Sequence, residues 1–350
     1  MKEKTMITLK EIAEEAGVSL MTVSNVVNGK ISKVSREKRE QIYKIIKKYE
    51  YIPNYSARSL AANSSRIIGC VLLGNQSESN LLMDEYNARF AGTVMDYVHQ
   101  QGYYFMLRSV SGHREATEFL RSWNVDGAVF IGMSYTYIKR LLKENRIPLI
   151  FTDSYTEDQE IPNIGIDDRK GGRLAAECLL RHGHRSLGFI CYATKDEISL
   201  MHQRLLGYRE TLSAAGLILK EAHIHRLNTD PARGIAAIAD AHISSITRND
   251  VPTAYFTTAD RLAFSLIRAF YERGIMTPQD ISVIGFDNLT SASCFIPGLT
   301  TIAQDIEQKA KMAMDALFRR IGDPAAPVES AMLDVTLVER ESTAMLVMDR

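Results

Sequence analysis

Three aspartates stand at the ends of strand-like apolar runs, where side chains could bind a polar ligand. They are Asp153, Asp260 and Asp287, while Tyr86 precedes one helix-like segment and Arg204 opens another. Ligands of parallel α/β sheets bind beyond the carboxyl ends of the strands, so we expect these five side chains to face one crevice. Carboxylates beside a guanidinium suit a polyhydroxylated ligand, because sugar hydroxyls both donate and accept hydrogen bonds. The alternative is that each aspartate only caps the helix that follows it.

No catalytic or metal-binding motif accompanies these residues. The chain lacks G-x-S-x-G, H-E-x-x-H, Walker A and G-x-G-x-x-G sequences. The pairs His182/His184 and His223/His225 have i,i+2 spacing, but neither has a further ligand nearby in the sequence. The four cysteines include no C-x-x-C pair and indicate reduced thiols. We therefore expect no enzyme activity, no cofactor and no metal.

The charge of the chain is unevenly distributed. Its 350 residues are 45% hydrophobic and 24% charged, with a formal net charge of zero. Residues 1–66 carry 13 Lys and Arg against 7 Asp and Glu, a net charge of +6, and the remainder carries −6. A basic segment on an acidic body is expected when only that segment meets a polyanion, although a solvated charged face explains the charge equally well. No apolar stretch could cross a bilayer and no export signal opens the chain, so we expect a cytoplasmic protein.

The basic segment contains the pattern of three short helices. Thr8 and Glu11 form a capping box, and Gly17 closes the segment that it opens. A second segment covers residues 19–28, and a third begins at Ser35 with isoleucines on one face. Two short helices joined by a glycine-containing turn, with a third helix over their apolar faces, predict a helix-turn-helix unit. Residues 54–63 then form a polar linker whose ten residues are too few for a stable isolated helix.

From residue 67 onward, short apolar runs alternate with amphipathic segments of helical length. The strand-like runs are Ile67–Leu73, Tyr103–Leu107, Gly127–Ile131, Pro148–Thr152, Leu187–Tyr192, Val251–Thr257 and Ile281–Phe286. The helix-like segments include Arg89–Gln101, Arg169–Arg181, Arg204–Ala215 and Arg261–Arg273. This alternation predicts parallel sheets flanked by helices, and the length of about 280 residues favours two lobes with a cleft.

The sequence resembles the lactose-repressor (LacI-type) family of bacterial transcription regulators from about Thr8 to Thr343. The segments that carry the resemblance are Thr8–Asn28, Tyr51–Leu60, Gly102–Tyr103, Val125–Gly127, His182–Arg185, Arg204–Tyr208, Asp280–Asp287, Pro297–Ile302 and Glu341–Ala344. The resemblance implies a homodimer that binds a near-palindromic DNA operator. It also implies a body like the periplasmic sugar-binding proteins, in which a small molecule between the lobes changes the affinity for DNA.

The expected fold class is an all-α helix-turn-helix head plus an α/β body of two doubly wound parallel-sheet lobes. We expect the head in residues 1–53, a hinge in 54–66 and the effector-binding and dimerisation domain in 67–350. The amino-terminal lobe would comprise about 67–165 plus 298–330, and the carboxyl-terminal lobe about 166–297 plus 331–345.

The resemblance also implies which residues meet DNA. Leu20, Met21 and Asn25 would face base edges, and because leucine and methionine suit thymine methyls while asparagine suits adenine, we expect an A·T-leaning half-site. The predicted phosphate contacts are Thr8, Ser19, Thr22, Ser24, Asn28, Ser32 and Arg36. In the hinge, Leu60 would wedge open a base step in the minor groove, flanked by Asn54 and Arg58. The alternatives are little base readout by Leu20 and Met21, and an ordinary helix contact for Leu60.

For the cleft, the resemblance implies effector contacts at Asp153, Arg204 and Asp287. Asn87 is a sixth expected effector contact, and it stands where purine-responsive relatives carry a stacking aromatic residue, which disfavours a nucleobase ligand. Residues 75–84 diverge from the family pattern. A solute-binding protein of a sugar transport system would fit the body alone, but the basic head and the missing export signal disfavour it. An enzyme on a doubly wound fold is the third alternative.

The wedge hypothesis predicts how the variant Leu60→Ser binds DNA. We expect a large loss of affinity for a specific operator and a small loss for random duplex, because only the specific complex opens the central base step. Fluorescence anisotropy with both duplexes measures the two affinities. Equal losses would count against the wedge.

Overall fold

The chain divides into two compact units, residues 1–65 and residues 66–350, which we call the head and the body. The computed structural model describes residues 7–51, 64–74, 81–154, 158, 160–194, 199–228, 230–245 and 251–346. Within these residues, every helix is too short or too polar to span a membrane.

The head is built from three helices, each of which begins at a hydroxyl side chain. They are α1 (Leu9–Glu15), α2 (Leu20–Val27) and α3 (Arg36–Lys48). At α1, the Glu11 amide donates to Thr8 Oγ1 (3.3 Å) and the Thr8 amide donates to the Glu11 carboxylate (2.7 Å), which confirms the predicted capping box. Ser19 and Ser35 accept hydrogen bonds from the first turns of α2 and α3. Because these caps satisfy exposed backbone donors, even short helices begin at defined residues.

A small apolar core joins the three helices. Ile12, Val23 and Ile42 are fully buried in it, and Val26 lies beside them. Burial of each such side chain contributes about 2 kcal/mol to stability. The core therefore fixes the orientation of α2, with the face opposite Val23 turned to solvent.

The body contains two six-stranded sheets, one in each of two lobes. The first sheet contains β1 (Ile67–Leu73), β2 (Tyr104–Val110), β3 (Gly127–Ile131), β4 (Leu149–Thr152), β5 (Asn163–Ile166) and β11 (Ala331–Leu333), in the order β11-β5-β4-β3-β1-β2. The second contains β6 (Leu187–Tyr192), β7 (Ile224–Leu227), β8 (Ala254–Thr257), β9 (Ser282–Asp287), β10 (Thr300–Ala303) and β12 (Thr336–Val338), in the order β12-β10-β9-β8-β6-β7. The neighbouring strands run parallel except β10 and β12, which are antiparallel.

Helices cover both faces of each sheet through apolar side chains. The helices on the first sheet are α4 (Glu85–Gln100), α5 (His113–Ser122), α6 (Tyr135–Glu144) and α12 (Ile306–Gly322). Those on the second are α7 (Asp168–Arg181), α8 (Leu200–Ala214), α9 (Pro231–Ser245), α10 (Asp260–Tyr271) and α11 (Thr290–Cys294). The predicted fold class, a helical head with two parallel-sheet lobes, is confirmed.

The order of strands reverses at one strand of each sheet. β1 lies between β2 and β3, and β6 lies between β7 and β8. Such a reversal leaves a crevice beyond the carboxyl ends of the strands, where ligands bind. The chain that leaves β1 next forms α4, and the chain that leaves β6 next forms α8, so the starts of these helices lie at the two crevices.

The residues at which the chain crosses from one lobe to the other differ from the predicted lobe boundaries. β10 belongs to the second sheet, although residues 298–330 were expected in the amino-terminal lobe. β11 belongs to the first sheet, although residues 331–345 were expected in the carboxyl-terminal lobe. The chain therefore crosses after Ala303 and after Leu333. These two boundaries differ from the prediction because a strand of three or four residues has the same local pattern in either sheet.

His184 ties the carboxyl-terminal segment to the second lobe. Its Nδ1 lies 2.9 Å from Thr253 Oγ1, and its Nε2 lies 3.1 Å from Ser282 Oγ and 3.2 Å from the Ala344 carbonyl oxygen. Burial lowers the pKa of His184 to about 4, because the imidazolium would lose its hydration. The folded protein therefore holds this side chain neutral.

We expect the free energy of unfolding to fall as the pH is lowered from about 6.5 to about 4. In this window the unfolded chain binds a proton at residue 184 and the folded chain does not, so acid favours unfolding by up to about 3 kcal/mol. Urea denaturation at several pH values measures the slope, which His184→Asn should reduce. Burial also lowers the pKa of His225 to about 4, so some slope should remain.

The variant His202→Asn is the matched control, because His202 is exposed on α8. A slope reduced equally in both variants would contradict the role of the buried imidazole.

Candidate nucleic-acid interface and ligand cleft

One face of α2 points away from the head core and carries the side chains predicted to read DNA bases. Leu20 is 51% exposed and Met21 is 69% exposed. Asn25 follows Met21 by four residues, so it lies on the same side of α2, opposite the buried side chains of Val23 and Val26. An exposed leucine and methionine at the start of a helix have no stabilising role in the head core. Their position suits contact with another molecule.

Hydroxyl and amide side chains surround this face of α2. The Thr22 amide donates to Ser19 Oγ (3.2 Å), and the Ser19 and Thr22 hydroxyls lie 2.9 Å apart. Asn28 Nδ2 donates to Ser24 Oγ (3.2 Å). The first turn of a helix presents amide donors and a positive partial charge, which favour phosphate oxygens.

The other predicted DNA contacts in the head are exposed. Thr8 caps α1, Ser32 lies in a short 3₁₀ helix, and Arg36 begins α3. Arg36 Nε donates to Glu40 (2.9 Å) across one turn of α3, a solvent-screened pair that a phosphate can replace. The hinge residues predicted to contact DNA, namely Asn54, Arg58 and Leu60, lie outside the described residues.

A cavity of about 160 Å³ lies where the carboxyl ends of the two sheets face each other. Polar side chains line most of it, and its described lining is Asp84, Tyr86, Asn87, Asp153, Tyr192, Leu200, Met201, Arg204, Thr258, Ala259, Asp287 and Gln304. The structure therefore brings together five of the six residues predicted to contact an effector. Asp260 is the exception.

Asp153 follows β4 and accepts hydrogen bonds at both carboxylate oxygens. The Tyr86 hydroxyl donates to one oxygen, and Lys309 Nζ lies 2.7 Å from the other. Lys309 projects from α12 and has no exposed surface. Burial and the charge of Asp153 raise the pKa of Tyr86 well above its ordinary value, so the phenol keeps its proton.

The sequence reasoning missed Lys309, although the sequence contains a signal for it. Lys309 follows Ile306 by three residues and precedes Ala313 by four, so it falls in the apolar stripe of α12. A lysine in such a stripe is almost never buried unless a carboxylate pairs with it. Only the fold shows that its partner is Asp153.

Gln304 extends this contact into the second lobe. Lys309 Nζ donates to Gln304 Oε1 (2.8 Å), and Gln304 Nε2 donates to Asp287 Oδ1 (2.6 Å). Tyr86, Asp153, Lys309, Gln304 and Asp287 thus form one hydrogen-bonded chain, which we call the floor chain. It runs from α4 in the first lobe to the end of β9 in the second.

Arg204 also lines the cavity and is itself paired. Its Nε donates to Asp168 (2.6 Å) and its Nη1 donates to the Thr258 carbonyl oxygen (2.5 Å). The guanidinium lies over the ring of Phe286, with 3.4 Å between its central carbon and the ring centroid. Because stacking and two hydrogen bonds hold the group rigid, Arg204 presents a fixed edge to the cavity.

Two carboxyl groups near the cavity resist ionisation because they are buried. Burial raises the pKa of Asp287 well above its ordinary value, although the positive charge of Arg204 opposes the shift. Burial raises the pKa of Asp260 to about 7, against hydrogen bonds from Thr301 and the Leu289 amide. Burial thus favours the neutral form of both carboxyl groups.

Asp260 does not line the cavity, which corrects the prediction that it contacts the effector. Its oxygens accept from Thr301 Oγ1 (2.5 Å) and from the Leu289 amide (2.8 Å), and the residue has no exposed surface. The start of α10 thus turns this carboxylate toward β10 and the loop after β9. Asp260 does not cap the helix that follows it either, because it is the first residue of α10 and its carboxylate accepts from Thr301 and Leu289 instead.

Two further groups complete the polar lining. Asn87 Nδ2 donates to the Leu81 carbonyl oxygen (3.0 Å). Thr258 is fully buried, and its Oγ1 has no hydrogen-bond partner among the described residues. A buried hydroxyl without a partner costs free energy.

The position of Arg204 depends on a close crossing of α7 and α8. A Cβ atom on Gly172 would lie 1.9 Å from the Arg204 carbonyl oxygen, and one on Gly207 would lie 1.9 Å from the Arg169 carbonyl oxygen. Two glycines therefore let the helix backbones touch. Their contact sets where Arg204 enters the cavity.

Comparisons with known proteins agree with this architecture. Residues 8–54 match the profile described as bacterial regulatory proteins, lacI family, and residues 176–343 match the profile of the periplasmic binding protein-like domain. The HTH-type transcriptional repressor PurR of Erwinia tasmaniensis is 32% identical over 346 residues, which are 97% of each chain. The ribose operon repressor of Haemophilus influenzae is 29% identical and covers 96% of this chain and 98% of its own.

Solved structures of similar architecture extend the comparison. A lac repressor dimer bound to operator and the anti-inducer ONPF has a TM-score of 0.80 at 26% identity, covering 97% of this chain and 99% of that chain. The regulator CelR in complex with cellobiose has a TM-score of 0.70 at 26% identity, covering 96% and 99%. A helix-turn-helix head on a two-lobed body defines a transcriptional regulator and not an enzyme. The chain belongs to the LacI family of bacterial regulatory proteins, which confirms the resemblance.

The α7–α8 crossing predicts opposite effects for two glycine-to-alanine variants. Gly172→Ala should lower the free energy of unfolding by at least about 2 kcal/mol, because the added methyl meets backbone atoms that cannot turn aside. Gly92→Ala in α4 should be neutral or stabilising by up to about 1 kcal/mol, because a Cβ there meets no atom within 4 Å. Urea denaturation of both variants measures the difference, and equal stabilities would contradict the close crossing.

Proposed function

We propose that this protein is a transcriptional repressor that binds a near-palindromic DNA operator as a homodimer, under control of a sugar or sugar derivative. The observation that carries the proposal is the combination of a basic head, whose α2 exposes an unpartnered face, with a body whose cleft is lined by paired polar groups. A solute-binding protein would need the cleft of the body but not the basic head.

In this proposal α2 lies in the major groove. Leu20 and Met21 contact thymine methyls, and Asn25 contacts adenine N6 and N7. Seven polar residues hold the phosphates and set the register, namely Thr8, Ser19, Thr22, Ser24, Asn28, Ser32 and Arg36. Exposed lysines of the head, such as Lys33 and Lys38, add salt-dependent affinity.

The hinge residues complete the operator contact. Leu60 enters the minor groove at the operator centre and opens a base step, while Asn54 and Arg58 contact the backbone or the groove floor. The support for these roles is the sequence Tyr51–Leu60 and its similarity to the family.

An exposed apolar surface of the second lobe supports the homodimer. A groove of about 830 Å³ is lined by residues of α10, of the turn after it and of the segment after α11. Ile296 is 92% exposed and Tyr271 is 66% exposed there. Apolar side chains this exposed are typical of an interface, and a two-fold dimer matches a palindromic operator. One similar structure is a lac repressor dimer on its operator.

The cleft is the proposed effector site, with Tyr86, Asn87, Asp153, Arg204 and Asp287 as contacts. It offers fixed acceptors at Asp153, a rigid guanidinium edge at Arg204 and a buried carboxyl group at Asp287, which together suit ligand hydroxyls. The relatives and similar structures include a ribose operon repressor and a CelR–cellobiose complex. We place the protein in the cytoplasm, associated with the nucleoid when bound to its operator.

Effector and operator binding are coupled through the hinge in this proposal. Operator binding orders the two hinges only when the amino-terminal lobes of the dimer hold them close together. An effector that changes the angle between the lobes therefore shares a coupling free energy with DNA, typically about 1–3 kcal/mol.

Selection of binding sites from random duplex DNA, followed by a salt titration, tests the proposal. We expect enrichment of a near-palindrome with A·T-leaning half-sites, and a steep fall of affinity with salt, because each neutralised phosphate releases a counterion. A protein with no preference for any palindrome, with and without candidate metabolites, would contradict the proposal.

Thermal-shift screening against a carbohydrate panel tests the effector site. A ligand that binds only the native state raises the melting temperature, and Arg204→Ala should lose this shift while it retains operator affinity. The matched control is Arg209→Ala on the same helix, whose side chain pairs with Glu221 away from the cavity. Retention of the shift in Arg204→Ala would refute the assignment.

A further inference from the structure

The charges around the cleft are already paired within the chain. The acidic and basic lining residues among those described are Asp84, Asp153, Asp287 and Arg204. Asp84 caps α4 by accepting from the Tyr86 and Asn87 amides, and it lies 3.6 Å from Arg261 Nη1. The guanidinium of Arg204 is paired with Asp168, which is also buried.

The second cation of the site, Lys309, is paired in the same way. Its ammonium has no exposed surface, lies 2.7 Å from Asp153 Oδ1 and 2.8 Å from Gln304 Oε1, and stands 4.8 Å from the centre of the Tyr86 ring. A buried ammonium requires a compensating anion, because it cannot be hydrated. Asp153 supplies that anion and lies between Lys309 and the cavity, since Asp153 lines the cavity and Lys309 does not.

We propose that the carboxylate of Asp153 occupies the position in which an anionic ligand would pair with Lys309. The cleft therefore accepts uncharged polyhydroxylated ligands and excludes sugar phosphates and sugar acids. The proposal rests on the proposed function, because it takes the cleft to be the effector site. Lys309 acts as a positioning residue, which holds Asp153 as an acceptor for ligand hydroxyls.

An anion in the cleft would lack a cation and would meet carboxylates. Among the described residues the nearby cations Arg204, Lys309 and Arg261 each have a carboxylate partner, and displacing Asp153 would leave its own charge uncompensated. An uncharged polyol meets no such cost, and its hydroxyls can pair with the carboxyl groups of Asp153 and Asp287, which line the cavity.

The variant Asp153→Gly tests the proposal with sodium formate as the probe. Asp153 has a φ of 53°, a conformation that glycine adopts without strain, so the variant removes the carboxylate with little backbone cost. The vacated position beside Lys309 should then bind formate. At equal ionic strength, formate in place of chloride should raise the melting temperature of Asp153→Gly by at least about 2 °C more than that of the wild type.

The double variant Asp153→Gly/Lys309→Met is the matched control, because it removes both charges and should show no formate-specific shift. A formate shift in the wild type equal to that in Asp153→Gly would overturn the proposal, and so would equal shifts in the single and double variants. Absence of a formate shift in folded Asp153→Gly would also overturn it.

The wild-type chain supplies a measurement that needs no variant. Thermal-shift screens can compare each uncharged sugar with its anionic derivative, such as D-ribose with D-ribose 5-phosphate or D-glucose with D-gluconate. The compound that raises the melting temperature most should be an uncharged one. If an anionic compound raised the melting temperature most, the proposal would be overturned. A negative result in the formate experiment or in the sugar screen would not change the operator selection. Such a result can therefore be distinguished from a failure of the proposed regulatory function.

Discussion

The buried ion pair between Lys309 and Asp153 is the contact on which the arrangement of the cleft depends. It joins α12 to the end of β4, and the floor chain continues it through Gln304 to Asp287 in the second lobe. Removing one partner of a buried pair costs about 3–5 kcal/mol, because the other charge is left without solvent or partner. The pair therefore restricts the positions that the cleft residues can adopt, and a ligand in the cleft must act on side chains held in this way.

The second constraint is geometric and concerns Arg204. Backbone contact between α7 and α8 at Gly172 and Gly207 places this side chain, and Asp168 and Phe286 then hold it rigid. The two walls of the cleft thus have different origins, one from charge pairing and one from close packing. The head depends on neither, because its helices share a separate core around Ile12 and Val23.

Much of the fold follows from local sequence patterns. The central strands β1, β3 and β6 have the predicted bounds, because continuous apolar runs between turn residues are typical of buried parallel strands. The capping residues of α1 and α2 were also predictable, since a helix start requires a side-chain acceptor close by in the sequence. The short strands β10 and β11 were assigned to the wrong lobes, because their sheet is chosen by distant partners.

The amino-acid sequence by itself determined the helix-turn-helix head, the alternation that produces two parallel sheets, and the aspartates and arginine that stand at strand ends. Those features depend on periodicity and on neighbours within a few residues. Only the tertiary structure decided that Lys309 pairs with Asp153, that Arg204 pairs with Asp168, and that Asp260 points away from the cavity. Each of these outcomes joins residues far apart in the chain, and a carboxylate at the end of a strand has the same local sequence whether it faces a ligand or a buried partner.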